Sequence, residues 1–173
     1  RECLAYPTGG PLRPEAAVNA LVLHKGFSAS LVAAEPLIVN PISIDWDAAG
    51  RMWVAETPGY PMKAQFSGIA AHDTISVLED EDGDGVMDAK RVFAQGLDLV
   101  TSFVPFEDGV IALAAPNIYR LRDIDGDGAA EVRIELYTGF GFGDTHAVMS
   151  NARWGADGWI YATQGYSGGG STD

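Results

Sequence analysis

Two stretches of the chain decide its fold, residues 75–97 (ISVLEDEDGDGVMDAKRVFAQGL) and residues 118–140 (IYRLRDIDGDGAAEVRIELYTGF). They align without a gap at an offset of 43 residues, so that Ile75 matches Ile118. In each copy, two runs suited to strands flank an acidic, glycine-containing turn. A repeat of this length, built from strands and tight turns, is typical of propeller blades.

The segment before each copy predicts a further hairpin. Before the second copy, strands at 101–105 and 110–114 flank an Asp-Gly turn, and before the first copy, strands at 42–46 and 51–55 flank a turn at Gly50. Residues 42–46 alternate apolar and polar side chains, which is the period of a half-buried strand. Four short strands in each period of about 40–50 residues predict an all-β chain made of four-stranded blades.

A third copy begins at residues 148–154 and continues at 159–162. The sequence therefore predicts a β-propeller fragment of about two and a half blades. A β-sandwich would also contain many short strands, but it would not require an ungapped internal repeat. Because each blade buries its faces against its neighbours, we expect the partial ring to keep an open flank.

The chain divides into two predicted regions. Residues 1–27 are expected to form an N-terminal loop with a short helix over 14–21, where a proline and a glutamate suit the first turn. Residues 28–173 are expected to form the partial propeller domain. Within it we predict a short apolar strand at 30–34 and a longer loop at 57–72, which contains glycine and proline.

The composition describes an acidic globular domain. The formal net charge is −13, and 47% of the residues are hydrophobic. Such a surface repels phosphate backbones, which excludes nucleic acid as an expected partner. The single cysteine, Cys3, rules out an intrachain disulfide. The chain has no apolar run of about 18 residues, so no transmembrane segment is predicted.

The two acidic turns fit the pattern D-x-D-x-D-G-x-x-[DE], which suits calcium. Acidic side chains at positions 1, 3, 5 and 9 and the backbone carbonyl at position 7 can converge on one ion, and calcium takes six to eight oxygen ligands. The predicted ligands are Asp80, Asp82, Asp84, the Val86 carbonyl and Asp88 in the first loop, and Asp123, Asp125, Asp127, the Ala129 carbonyl and Glu131 in the second.

These loops are not EF-hands, because Arg91 and Ile134 stand at position 12, where an EF-hand needs a bidentate glutamate. The flanking segments are also predicted to be strands. Ordinary Asp/Gly-rich hairpin turns are the alternative interpretation. If calcium binds, we expect its role to be structural, because each loop joins the third and fourth strands of a blade.

Several motifs, in this order, resemble a known family. They are GF at 26–27, LVAAEP at 31–36, GRMWVAE at 50–56 with GYP at 59–61, LED at 78–80 with DGDGVMD at 82–88, AAPNI at 114–118, and WGADGWIY at 154–161. From about residue 14 to the end, the chain is similar to the N-terminal propeller of the membrane-bound dehydrogenase family of planctomycetes and verrucomicrobia. That family is similar in turn to the soluble quinoprotein glucose and sorbosone dehydrogenases.

The resemblance implies a six-bladed propeller that is periplasmic, secreted or membrane-attached. It also implies oxidation of a sugar or polyol hydroxyl with pyrroloquinoline quinone as cofactor. Members of the family often carry a cytochrome c domain, but this chain has no Cys-x-x-Cys-His motif. We therefore expect any such partner domain to lie outside this sequence. The alternative function is a non-enzymatic calcium-binding propeller that serves adhesion or ligand binding.

Three residues become site candidates through this resemblance. His146 stands before a Gly-Ala-Asp segment much as the catalytic base of the quinoproteins stands before Gly-Pro-Asp, and a histidine suits a general base at neutral pH. Arg153 could pair with a quinone carboxylate. Glu56, at the end of a strand, could face the channel and contact a cofactor or cation. The alternatives are a loop histidine beside Asp144, an exposed strand arginine and a solvated loop acid.

Four aromatic residues receive a structural interpretation. We predict that they pack between blades and do not form a sugar-binding platform. They are Trp53, Trp154, Trp159 and Tyr161.

Overall fold

The computed structural model describes residues 10–62 and 71–166 of the chain. Within them lie one helix, α1 (Pro14–Asn19), and ten strands. The strands are β1 (Pro41–Trp46), β2 (Met52–Glu56), β3 (Asp73–Glu79), β4 (Ala89–Leu97), β5 (Val100–Phe106), β6 (Gly109–Ala114), β7 (Asn117–Arg122), β8 (Val132–Tyr137), β9 (Met149–Trp154) and β10 (Ile160–Gln164). No helix in these residues is long and apolar enough to cross a membrane.

The strands form consecutive antiparallel sheets, which confirms the predicted fold class. Strands β1–β4 form one four-stranded sheet, here called blade 1, and β5–β8 form blade 2, each in sequence order. Strands β9 and β10 pair as a partial blade 3. The innermost strands β1, β5 and β9 lie beside one another. The chain is thus a propeller fragment of two complete blades and part of a third.

Blade 1 packs on blade 2 through a continuous apolar core. The Trp53 and Phe93 rings meet edge to face with their centroids 4.8 Å apart. They belong to one buried cluster with Val110, Ala112 and Leu121 of blade 2. This contact explains why the two repeats keep the same spacing of apolar residues, since each blade depends on its neighbour to bury a face.

The segment at 30–34, predicted to be a strand, is not one. It packs against blade 1 nevertheless, where the Val32 carbonyl accepts a hydrogen bond from the Met87 N–H at 2.8 Å. In the repeat, Met87 corresponds to Ala130, whose N–H donates to the Phe93 carbonyl of blade 1 at 2.7 Å. The N-terminal segment therefore covers blade 1 where outer strand β4 covers blade 2, but no strand in the described part of the chain pairs with it to form a ladder.

Of the four aromatic residues predicted to pack between blades, two make such contacts. Trp53 is buried, and Trp154 contacts blade 2, where its indole N–H donates to the Pro105 carbonyl at 3.2 Å. Trp159 and Tyr161 are exposed within the described residues, so the interpretation is not confirmed for them. They lie on the partial blade, at the flank that no further blade covers here.

Strand direction separates the two candidate regions. The innermost strand of each blade starts at one end of the propeller, and the connections β2–β3 and β8–β9 return to that same end. The acidic loops join β3 to β4 and β7 to β8, so they lie at the opposite end. This agrees with the predicted position of these loops and keeps them away from the starts of the innermost strands.

Candidate functional site

A cleft of about 610 Å³ opens where the innermost strands begin. Its walls come from three neighbouring strands and from the loops that return to that end. The lining residues are Ile42, Ser43 and Ile44 of β1, Thr101 and Ser102 of β5, Ser150, Asn151 and Arg153 of β9, and Tyr60, Thr145, His146 and Val148 of the loops. Most of these side chains are polar, and Arg153 adds a cationic guanidinium, which suits a hydroxylated or anionic small molecule.

Each innermost strand is irregular at the cleft. The pairing registers slip at Ile42 in β1 and at Thr101 in β5, while Asn151 and Ala152 of β9 lie together opposite one residue of β10. Asn151 also has a positive φ of 65°. Bulges re-aim side chains and are frequent beside binding sites. The same irregularity on three strands turns three neighbouring residues toward one cavity.

Two of the predicted site residues, His146 and Arg153, lie together in this cleft. The His146 Nδ1 atom lies 3.0 Å from Asp144 Oδ1, which also accepts the His146 backbone N–H at 2.9 Å. The Tyr166 hydroxyl donates to the other Asp144 oxygen. The Tyr60 ring stands edge to face against the imidazole, with 5.8 Å between the ring centroids. Sequence reasoning did not identify Tyr60 or Tyr166 as site residues.

The surroundings of Asp144 decide which imidazole nitrogen carries the proton. Hydrogen bonds from Tyr166 and from the backbone and side chain of His146 lower the pKa of Asp144 to about 2. The carboxylate is therefore ionised at neutral pH and can only accept hydrogen bonds. The His146 Nδ1 atom must then be the donor, which leaves a lone pair on Nε2. A neutral histidine held in this tautomer is arranged as a proton acceptor.

Among the described residues that line the cleft, Arg153 alone supplies a guanidinium. Its Nε atom donates to the Asn151 side-chain carbonyl at 3.1 Å. No described carboxylate forms an ion pair with it. Arg153 can therefore offer its terminal nitrogens to a bound anion, in keeping with the predicted role.

Glu56, the third predicted site residue, does not line the cleft. Its carboxylate is buried and pairs with Lys90 Nζ at 2.7 Å. It also accepts hydrogen bonds from the Val39 N–H at 2.8 Å and the Ser76 hydroxyl at 2.8 Å. The predicted cofactor contact is therefore not supported, because the structure supplies the partners that the sequence could not reveal. Glu56 ties the N-terminal segment to two strands of blade 1.

Replacing Lys90 with methionine should destabilise the protein by about 2 kcal/mol at neutral pH, because it leaves the Glu56 carboxylate buried without its cation. Burial acts to raise the pKa of Glu56, but hydrogen bonds from Lys90, Val39 and Ser76 lower it overall. The stabilisation is therefore present above the ordinary glutamate pKa and is lost as the pH falls below it. In urea unfolding, the free energies of unfolding of the wild type and of Lys90→Met should differ less at pH 3 than at pH 7. The exposed Lys25→Met variant serves as control, and equal losses in the two variants would contradict the ion-pair assignment.

Asp73 is a buried acid that sequence reasoning missed. It stands at the first position of β3, and its carboxylate accepts a hydrogen bond from the N–H of Val100 at 3.2 Å. The backbone N–H groups of Gly59 and Leu99 lie near enough to lower its pKa. Burial raises the pKa of Asp73 to about 6, and the charge of nearby Asp98 acts in the same direction. This carboxylate connects the loop after β2 to the start of β5, and both elements contribute walls to the cleft.

The raised pKa of Asp73 predicts a specific pH dependence of stability. The folded state holds this proton up to about pH 6, while the unfolded chain releases it near pH 4, so the contribution is fully present below pH 4 and is lost as the pH rises through 6. Solvent screening should reduce the effect to about 1–2 kcal/mol. Urea unfolding measures this effect. The free energy of unfolding of the wild type, relative to that of Asp73→Asn, should fall by that amount between pH 4 and pH 7. A constant difference would contradict this assignment.

The acidic loops have closely matching geometries. In the first, Asp80 accepts the N–H groups of Gly83 and Gly85 at 2.7 and 2.8 Å. In the second, Asp123 accepts those of Gly126 and Gly128 at 2.6 and 2.8 Å. All four glycines have positive φ angles, which allow the chain to curl around the carboxylate. Each loop is thus a preformed turn that gathers acidic side chains.

The gathered oxygens form donor sets that could hold a hard cation. Oxygen atoms of Asp123, Asp125, Asp127 and Glu131 lie within 4.8 Å of one another, as do those of Asp80, Asp82 and Asp88. Asp84 is the one predicted carboxylate outside these groups, although its Oδ1 atom accepts the Val86 N–H at 2.8 Å just as Asp127 Oδ1 accepts the Ala129 N–H at 2.9 Å. Oxygen donors alone, without histidine or cysteine, suit calcium better than a transition metal.

A comparison with protein families adds one finding. Residues 13–172 match the family model of a domain of unknown function, DUF7133. The chain belongs to the DUF7133 family. No curated protein and no solved structure matches this DUF7133 chain. The family covers the N-terminal segment together with all three blades, so the segment that packs on blade 1 is part of the domain.

Proposed function

We propose that this DUF7133 chain forms part of a quinoprotein-like dehydrogenase that oxidises a hydroxyl group of a sugar or polyol in the cleft at the start of the innermost strands. The observation that carries the proposal is the His146–Asp144 pair, with its 3.0 Å contact at Nδ1. That contact leaves Nε2 as the proton acceptor, and a positioned histidine base is what removal of a hydroxyl proton requires.

The remaining cleft residues suit the recognition of such a substrate. The hydroxyls of Thr101, Ser102 and Ser150 can exchange hydrogen bonds with a polyol, and the Tyr60 ring offers a flat apolar surface beside the base. The Asp144 carboxylate, ionised at neutral pH, would stabilise the imidazolium that forms when Nε2 takes the proton.

The cleft also suits part of an anionic quinone. Arg153 can pair bidentately with one carboxylate of pyrroloquinoline quinone, and neighbouring hydroxyl groups can donate to others. When bound, the quinone would act as the two-electron acceptor. Binding and orientation of the substrate, and acceptance of its hydroxyl proton at His146 Nε2, are the tasks of this chain.

Calcium in the acidic loops completes the proposal as a structural cofactor. Both loops lie at the end of the blades opposite the cleft, so an ion there would not reach the substrate. The second loop is fixed to blade 1, since Arg91 donates to the Asp127 carbonyl at 3.1 Å and Ala130 donates to Phe93. An ion in this loop would therefore stabilise the contact between the two blades.

The proposal is tested by dye reduction with the full-length protein, supplied with calcium and pyrroloquinoline quinone, across a panel of aldoses and polyols. Turnover that requires both the quinone and a hydroxylated substrate is the expected result. Saturable substrate binding without turnover would favour the alternative, a non-enzymatic ligand-binding propeller. The observation that favours this alternative is the pair of matching acidic loops, because they support a calcium-stabilised scaffold and do not themselves require catalysis.

A further inference from the structure

Blade 1 contains two buried acids that blade 2 lacks. Glu56 pairs across the sheet with Thr74, and the corresponding pair in blade 2 is Ala114 with Asn117. At the 43-residue offset, Asp73 corresponds to Pro116. A blade of this fold therefore forms without either carboxylate. Their presence in blade 1 needs a separate reason, since a buried acid is costly unless its partners compensate for lost hydration.

The two blades also differ in the connection between their second and third strands, and this difference suggests why blade 1 has the buried acids. In blade 2 the equivalent connection is only residues 115–116, whereas in blade 1 it runs over 57–72. The described part, residues 57–62, is here called the Tyr60 loop. Its Gly59 packs directly on the Asp73 carboxylate, since a Cβ atom at Gly59 would lie 3.6 Å from Asp73 Oδ1, and the next residue, Tyr60, contacts His146. The additional acid thus occurs in the blade that carries the additional loop.

The same carboxylate also holds the opposite wall of the cleft. Val100 donates its N–H group to Asp73 at 3.2 Å, and the following residue, Thr101, lines the cleft. Leu99 has a positive φ of 51°, a conformation that is unfavourable for leucine. The hydrogen bond from the adjacent Val100 N–H to Asp73 helps to hold this conformation. The Asp73 side chain is therefore a bridge between two cleft-forming segments.

We propose that Asp73 is a positioning residue for the cleft, whose carboxylate fixes the Tyr60 loop against the start of β5 and so sets the Tyr60 ring against His146. This inference rests on the proposed function for its importance in catalysis, but the positioning itself requires no substrate. A second contact assists at the base of the loop, where the Asn40 side chain donates to the Thr57 carbonyl at 2.7 Å. Within the loop, the Tyr60 N–H donates to the Thr57 carbonyl at 3.1 Å, so the role left to Asp73 is to tie this turn to the start of β5.

The test uses the ring-current effect of Tyr60 on the imidazole of His146. The full-length protein, labelled with ¹³C at histidine Cε1, is compared with Tyr60→Leu, which defines the chemical shift without the ring. Asp73→Ala should move the His146 signal at least halfway toward the Tyr60→Leu value. Asp73→Asn, which keeps one acceptor oxygen, should move it less. Leu121→Ala, a core variant remote from the cleft, controls for general destabilisation and should leave the signal in place.

Each result decides the proposal. A His146 signal that stays at the wild-type position in folded Asp73→Asn or Asp73→Ala would overturn it, as would an equal displacement in Leu121→Ala. If Asp73→Ala does not fold, the Asp73→Asn comparison still decides. Because the signal is read without quinone or substrate, an absence of turnover would overturn the proposed function and leave this measurement valid.

Discussion

Saturating calcium should raise the free energy of unfolding by about 5 kcal/mol, because an ion present at about 100 times its dissociation constant contributes about 2.7 kcal/mol at each of the two loops. For a domain of this size, we expect the melting temperature to rise by roughly 10–20 °C relative to the protein in chelator. The expectation follows from the matching donor sets around Asp80 and Asp123. Differential scanning calorimetry with stepped calcium concentrations measures it.

Asp125→Asn provides the sharpest variant for this prediction. The amide keeps the shape of the side chain and the oxygen that accepts the Asp127 N–H at 3.1 Å, but it removes a ligand charge. Its stability in chelator should stay within about 0.5 kcal/mol of the wild type, while about half of the calcium-dependent gain should disappear. Asp47→Asn, in a turn outside both loops, should lower the free energy of unfolding relative to the wild type by the same amount with and without calcium. Calcium stabilisation that survives in the double variant Asp82→Asn, Asp125→Asn would contradict the assignment.

Removal of the imidazole in His146→Ala should lower kcat/KM for the proposed oxidation by at least about 100-fold, which is the lower end of the contribution of a general base. The fold should be unaffected, because 74% of this side chain is exposed. Steady-state dye reduction, with thermal unfolding as a check on structure, measures both effects. Equal activity of the wild type and the variant would remove His146 from the mechanism.

Two controls make this result specific to the cleft. His72→Ala removes another exposed histidine that does not line the cavity and should leave kcat/KM within about twofold. Asp144→Asn should also reduce kcat, because an amide no longer requires the proton to sit on Nδ1 of His146. A loss that is just as large in His72→Ala would point to a general effect of the substitutions and not to a base.

The repeat made the blade architecture predictable. Strand–turn–strand units at a fixed offset require each blade to bury the same positions, so the boundaries of β5, β6 and β9 lie within one or two residues of those predicted. The strand predicted at 30–34 failed for a physical reason. An apolar run indicates burial, but a strand also needs a hydrogen-bonding neighbour, and Val32 instead meets a turn of blade 1.

The cleft was only partly predictable. His146 and Arg153 were found through resemblance. The cavity that holds them is completed by β1 and β5, whose position beside β9 local sequence alone does not give. Glu56 was misassigned because its partner Lys90 lies 34 residues away across the sheet. Asp73 was missed because its partners are backbone N–H groups, which every sequence contains. The repeat nevertheless contained a signal for Asp73, because the equivalent position in the second copy is Pro116, so the acid is specific to blade 1.

The central claim is that the cleft at the start of the innermost strands holds the substrate. Difference electron density from crystals of the full-length protein, soaked with pyrroloquinoline quinone and sorbitol, tests it most directly. The claim predicts density within hydrogen-bonding distance of His146 Nε2, with the quinone carboxylate at Arg153. Density confined to the groove between blades 1 and 2 near Trp53 and Arg91 would contradict it.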